Sequence, residues 1–364
     1  MSRLNWISRL NSRPRLVAWL PLLAAGLALL FALRGCASPG DQPAAQSALP
    51  ALDGSLQPLE APSPGAQPVT VGLYASNVYN IDFSSNTYYL SGFLWLRWTG
   101  DIDPTDTVEL INTVDEWGTI FEPTMLEPEV LPDGARYQVF RVQGRFHQPF
   151  DPRHYPLDRQ SLSVLVEDTN HDVDEIVFVP DIADSGVDSR FSIPGWNIIG
   201  ASIIPYVHDY GTNFGESGVN DASLYSAVEF AIHMERGRSV FALKLMLPLV
   251  IVLFTAWLTL VLHPKMMDLR TAMPATALLT TVFLHQAAGS AIPQAAGLVL
   301  TDKIYALAYV VILLTFATII ADNLRYDAED AQRIRRMRRL DLVSLGVQVI
   351  VFSLGIAALV YGAG

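Results

Sequence analysis

Residues Asp268–Pro293 read DLRTAMPATALLTTVFLHQAAGSAIP, and how this stretch is understood decides the fold. From Arg270 to Ser290 it carries neither an acid nor a lysine. As a helix rising ~1.5 Å per residue it spans roughly 30 Å, enough to cross a bilayer. Yet Thr271, Thr276, Thr280, Thr281, His285, Gln286 and Ser290 are interspersed among its Ala and Leu. Polar side chains facing lipid are costly, so they are expected to face protein or water. A spanning helix with one polar face is the expectation for a helix that lines an ion pathway.

Downstream, Ile304–Ile320 and Leu342–Val360 are apolar, and upstream so is Ser239–Leu262. Four spans are therefore expected over 237–364, with Pro248 interrupting the first and a basic loop at 321–340. That loop holds Arg325, Arg333, Arg335, Arg336, Arg338 and Arg339, which predicts a cytoplasmic location and puts the preceding domain and the C-terminus outside.

Ahead of the spans, residues 69–236 alternate with period two: Val69, Val71 and Leu73 against Thr70 and Gly72, then Val228, Phe230, Ile232 and Met234 against Ala227, Glu229, Ala231 and His233. With Pro, Gly, Asn and Asp clusters between the runs, this predicts an antiparallel, immunoglobulin-like β-sandwich. Residues 38–68 are rich in Pro, Ala, Gln, Ser and Gly and predict a disordered linker. Residues 1–37 combine Arg3, Arg9, Arg13 and Arg15 with the apolar run Leu16–Leu33, the pattern of a secretory signal or an N-terminal membrane anchor; Leu33-Arg34-Gly35-Cys36 is also distantly like a lipidation box.

The 364 residues are 51% hydrophobic, with a formal net charge of −12. Acids outnumber Lys and Arg several-fold in 69–235, which argues against nucleic acid. Cys36 is the sole cysteine, so no internal disulfide forms and no Cys-ligated zinc site exists. No HExxH, GxSxG or glycine-rich phosphate loop occurs, which speaks against an enzyme.

Residues 146–162, FHQPFDPRHYPLDRQSL, resemble the signature loop of the pentameric ligand-gated ion channels, the Cys-loop receptor family, through Tyr155-Pro156-Leu157-Asp158 followed by Gln160. The bracketing cysteines of animal members would fall at Gln148 and Leu162, so the bridge is absent here, as is usual in prokaryotic members. Trp98, Phe121-Glu122-Pro123, Arg236, Leu247-Pro248-Leu249 and Asp302-Lys303 follow the family's order and spacing from about residue 68 to 361. The resemblance implies an extracellular β-sandwich followed by a four-helix transmembrane bundle. It further implies a homopentamer around a central pore in the cell (inner) membrane, with inorganic ions and the lipid bilayer as partners.

Aligned on Pro293, the second span has Arg270 at its cytoplasmic mouth, and helical spacing puts Ala272, Thr276, Leu279, Phe283, Gln286 and Ser290 on one face, with Leu279 at the family's central hydrophobic ring. Five Leu279 and five Phe283 side chains would form a constriction that shuts by dewetting, and a ring of Asp268 would favour cations. A tightly packed helix whose Thr side chains bond to their own turn is the competing reading. Pro274 implies either a later helix start or a bend. His285 reads as packed between helices, with a pH-sensitive role as the alternative.

The resemblance also implies a coupling interface of Tyr155, Pro156, Leu157, Asp158, Arg236 and Pro293, with the loop Ile81–Asn86. Its ligand sites lie between subunits, which assigns Tyr206, Tyr210, Phe214, Glu127 and His171 to one face and Tyr89 and Trp95, with Phe93, to the other. The agonist is then a small molecule, with aromatics suited to an amine, or a proton. No cofactor is implied. Modulatory calcium at Asp172/Asp174/Glu175 or Asp184/Asp188 is weighed against a solvated acidic surface, since no Asp/Gly calcium loop occurs. A membrane-tethered periplasmic binding or adaptor protein that conducts nothing is the alternative function.

Overall fold

Alternating side chains on the early strands pin a sheet with one face inward. In β2 (Gln67–Asp82) Val69, Val71 and Leu73 are buried, and in β3 (Thr87–Trp98) so are Tyr88, Leu90, Leu94, Leu96 and Trp98. A one-residue slip would turn every one of them outward, so this pattern fixes the register. The computed structural model describes residues 56–58, 65–215, 224–289, 297–326 and 329–362. The expected leader 1–37, most of the linker, Ser290 and Pro293 lie outside the described residues.

Two sheets enclose one core. The larger runs β10 (Gly186–Val187), β2, β3, β7 (Arg136–His147), β5 (Ile120–Pro123), with β9 (Ile176–Pro180) also on β2 and β6 (Glu129–Val130) on β7. The smaller runs β1 (Leu56–Pro58), β11 (Trp196–Asp209), β12 (Leu224–Arg236), β8 (Arg159–Asp168), β4 (Val108–Leu110). Val142 and Phe146 of one sheet and Val164, Phe230 and Ile232 of the other belong to the same buried cluster. Each such side chain contributes roughly 1.5–3 kcal/mol on leaving water. Between the sheets the Tyr88 hydroxyl donates to the Ser163 carbonyl at 2.7 Å, so the phenol is satisfied where it is buried.

Two features depart from the expectation. The larger sheet is mixed, because β9 and β10 pair with β2 in parallel, whereas the smaller one is antiparallel throughout. Within the expected linker, Leu56–Pro58 is a strand on Tyr206–His208, where backbone pairing supplies what composition does not.

The chain divides into two compact units. This β unit closes at Arg236; a helical unit begins at Gly237 and also takes in Pro152–Asp158. In the helical unit a π-helical turn, Val240–Met246, leads into α1 (Leu247–Leu258), followed by α2 (Met267–Gly289), α3 (Leu300–Arg325) and α4 (Ala331–Tyr361). Pro248 stands where the π-helical turn passes into α1 within one continuous span, so the hydrogen-bond irregularity expected around this proline falls at that junction.

Among the described residues three helices are long and apolar enough to cross a membrane: Phe241–Leu258, Leu300–Arg325 and Ala331–Tyr361. α2, at 23 residues, has the length but is diluted by its Thr, Gln and His. The basic segment expected as a loop is mostly helix: 321–325 end α3 and 331–340 begin α4. Asp330 caps α4 by accepting from the Gln332 and Arg333 amides, both at 2.9 Å, and arginine is itself a good helix former.

Leu249, Leu253 and Trp257 of α1, Ile304, Val311 and Ile312 of α3, and Leu345, Phe352 and Ile356 of α4 form the helical core. From α2 only Ala277 joins them as a fully buried apolar residue.

Candidate functional site

α2 has two faces of different character. Arg270, Pro274, Ala277 and Thr281 are buried, at the spacing of a single helical stripe. Opposite them Asp268, Ala272, Thr276, Leu279, Phe283 and Gln286 are exposed, with Leu279 at 57% and Phe283 at 61%. The helix starts at Met267 and runs through Pro274, so the proline lies inside it. Thr271, Thr276, Thr280 and Thr281 each donate to a carbonyl one turn back, at 2.8–3.0 Å. A hydroxyl whose proton is committed to the backbone presents only lone pairs outward, and lone pairs suit a cation.

His285 lies between helices, as its packed reading holds. Its ring stacks on Tyr305 at 4.7 Å, its Nδ1 is 3.1 Å from the Tyr309 hydroxyl and its Nε2 is 3.0 Å from Asp302 Oδ1. Asp302 uses its other oxygen to accept the Val299 amide at 3.0 Å, which starts α3.

Arg270 is not a free cation at a mouth. It is fully buried; its Nη2 donates to Asp322 Oδ2 at 2.8 Å and to Asp341 Oδ2 at 3.0 Å, and its Nε donates to the Thr259 carbonyl at 3.1 Å. The sequence did carry a signal for this: two acids standing within otherwise apolar helices, where an unpaired charge is costly.

The signature loop belongs to the helical unit. The Leu300 amide donates to the Arg153 carbonyl and the Thr301 hydroxyl to the Tyr155 carbonyl, both at 2.9 Å, while Leu157 packs against the helical core. The Tyr155–Pro156 bond is cis, and Pro156 and Asp158 are buried. In the β unit the Arg236 guanidinium lies 4.2 Å from the Trp196 ring and 5.2 Å from that of Phe83, which gives it aromatic faces to rest on. In the same unit Asp82 closes the turn after β2. Hydrogen bonds from Ser84 and then Ser85 hold its carboxyl down at about 2.

Of the expected ligand residues, Tyr210 bonds to a residue that the sequence did not single out, Glu167, and Phe214 packs on Tyr210. This buried carboxylate on β8 holds His208 Nδ1 at 2.5 Å and accepts the Tyr210 hydroxyl at 2.8 Å. Tyr210 packs on His208 and edge-on to Phe214 and Tyr225, with ring centroids 4.0, 5.0 and 5.7 Å away. Burial, then the bond to Glu167, push the Tyr210 phenol above its ordinary range, so it stays a donor. Tyr206 is pushed the same way by burial and by Glu229. One residue along β8, buried Asp168 accepts from the Thr107 hydroxyl at 2.5 Å and holds His171 Nδ1 at 3.0 Å. Glu127 is exposed and takes no part in this cluster.

On the other sheet Tyr89 stacks on Tyr79 at 5.4 Å. Trp95 donates its indole N–H to Asp181 Oδ2 at 3.0 Å and lines an open pocket of about 400 Å³ with Arg97, Leu131, Tyr137, Asp181 and Asp184. Aromatic faces beside carboxylates are the chemistry of an organic-cation site.

Among the described residues no group of three or more His, Cys, Asp or Glu stands ready to hold a metal ion. Asp188 is engaged by the Arg190 side chain, and Asp172 caps its own turn through the Asp174 and Glu175 amides.

A scan against protein-family models finds no match. Over 208 residues the chain is 22% identical to a proton-gated ion channel of Gloeobacter violaceus, a similarity that covers 52% of this chain and 56% of that protein. The chain thus matches about half the length of its curated relative, and the likeness supports a broad relationship to pentameric ligand-gated channels, which are not enzymes.

Proposed function

We propose that this chain is a subunit of a ligand-gated, cation-conducting channel built from five copies around a pore lined by α2. The two-faced character of α2 carries this reading. A helix that buries Arg270, Pro274, Ala277 and Thr281 while exposing Asp268, Thr276, Leu279 and Phe283 needs surroundings that tolerate both water and apolar contact on its exposed side. A pore offers both: hydrated when open, and dewetted at the Leu279 and Phe283 rings when shut. Asp268, in the first turn of α2, would concentrate cations, and the exposed Thr276 oxygen would replace part of an ion's hydration.

The trigger is proposed to act on the β unit. The relative's name speaks of protons, and the Glu167–His208 and Asp168–His171 pairs are groups whose attraction depends on protonation. A small organic cation at the pocket beside Trp95 is the alternative agonist. The signature loop, bonded to the start of α3 through Thr301, would relay the signal to the helices, with Asp158 and Arg236 as its expected ion pair.

Cysteine accessibility tests the pore assignment. In a Cys36→Ser background, Thr276→Cys is expected to be blocked by a charged thiol reagent added during activation, and Ala277→Cys to be insensitive. Equal insensitivity of both, in variants that conduct, would remove α2 from the pore. Absence of current under any ligand, pH or calcium condition would favour the non-conducting adaptor.

A further inference from the structure

The triad Arg270, Asp322 and Asp341 joins α2, α3 and α4 inside the helical unit and is used by nothing in the reading above. It holds one guanidinium and two carboxyl groups, with side-chain exposures of 0%, 7% and 0%. If both carboxyls were ionised, the site would carry a net negative charge among Leu345, Met337 and the other apolar side chains of the core. Among the described residues no further cation is placed to offset it. His263 and Lys265 after α1, Asp268 on α2, Arg325 on α3, and Arg338 and Arg339 on α4 are all exposed, and α1 gives the triad only the Thr259 carbonyl.

Two geometric facts bear on the charge. Both carboxyls bring their Oδ2 atoms to the same nitrogen, Arg270 Nη2, at 2.8 and 3.0 Å. Two oxygens crowded onto one donor disfavour ionisation of both carboxyls, because like charges that close repel. Asp341 Oδ1 is buried without a hydrogen-bond partner. An ionised carboxylate with one oxygen stranded away from water is costly, whereas the same atom as the carbonyl oxygen of a neutral acid is tolerable.

We propose that Asp322 and Asp341 together bind one proton beneath Arg270, with Asp341 as the neutral acid. The loaded triad is one guanidinium, one carboxylate and one carboxylic acid, with no net charge. It locks the Met267 end of α2 to α3 and α4. Release turns the acid into a carboxylate and a proton that leaves by way of Asp322, the member with partial exposure. The triad is then charged, two like charges share one donor, and the lock weakens. The site is a proton-binding device within the helices, and it holds whether or not the assembly conducts.

The test uses the full-length chain in lipid nanodiscs, with infrared difference spectra between acidic and alkaline pH and with thermal melts. Wild type is expected to show a protonated-carboxyl band that vanishes at alkaline pH, together with a melting temperature that falls as the proton leaves. Asp341→Asn freezes the neutral arrangement, because an amide replaces the acid at the same shape; it is expected to lose the band, to keep the wild-type melting temperature at acidic pH and to show a flat melt against pH. Asp322→Asn leaves Asp341 as the one partner carboxylate of Arg270, with its Oδ1 stranded, and is expected to lose the band and to melt below wild type at acidic pH. Asp341→Ala, which takes one acceptor from Arg270 and leaves a cavity where the carboxyl stood, is expected to melt lower throughout. The proposal is overturned if wild type lacks the band or if both Asn variants retain it. It is equally overturned if Asp341→Asn fails to fold or melts as low as Asp341→Ala, since both carboxylates would then be needed ionised.

Discussion

The Thr301 hydroxyl donates to the Tyr155 carbonyl at 2.9 Å, so that a side chain in the first turn of α3 holds the backbone of the signature loop. The neighbouring bond from the Leu300 amide to the Arg153 carbonyl fixes the same loop without any side chain. Thr301→Val keeps the shape and removes the donor, taking one hydrogen bond from the Tyr155 carbonyl at a cost of about 1 kcal/mol. A lower melting temperature and a rightward shift of the activation curve are expected, with Thr301→Ser near wild type. An unshifted activation curve in a Thr301→Val channel with a lowered melt would leave the loop a structural role alone.

His233 sets a pH dependence in the β unit. It sits between the Ser161 and Ser202 hydroxyls, each 2.9 Å from a ring nitrogen, and burial pushes its imidazole below the ordinary histidine value, with Glu229 opposing. The folded state therefore prefers neutral His233, and the unfolded chain binds the proton more readily. Stability on this account is full above the ordinary histidine value and is lost as pH falls through the depressed one. His233→Gln is expected to flatten that part of the melting-temperature profile; a profile unchanged by the substitution would assign the acid sensitivity elsewhere.

Much of this was legible because short-range pattern decides it. Val69, Val71 and Leu73 alternate, and they are buried on one face of β2. The Thr and Gln of Asp268–Pro293 marked α2 as unlike its neighbours, and α2 is the helix too polar to count among the three apolar ones. Arg270 was misread because its partners lie 52 and 71 residues away, a distance that periodicity does not span. Glu167 was missed for a similar reason, since its bonds to His208 and Tyr210 cross 41 and 43 residues. The strand Leu56–Pro58 is held by backbone pairing to β11, which leaves no trace in side-chain pattern. The arginines of 331–340 read as a loop because charge suggested solvent, whereas Ile334, Met337, Asp341 and Leu345 continue a single inward stripe.

Leu279 tests the gate. It is 57% exposed on a helix whose opposite side is buried, so trimming it removes little from the subunit core. Leu279→Ala is expected to leave the melting temperature within a few degrees of wild type while currents persist without agonist, because a wider and less apolar ring holds water at rest. Silence at rest in a variant that still opens with agonist would move the gate away from this ring.

Ion conduction itself is tested most directly by reversal potentials in planar bilayers with asymmetric salt, wild type against Asp268→Lys. A reversal potential near the cation equilibrium value is expected for wild type, with a shift toward the anion value when lysine replaces Asp268. Currents whose reversal potential is identical in the two proteins would contradict Asp268 at the ion pathway, and no current in either would contradict the channel.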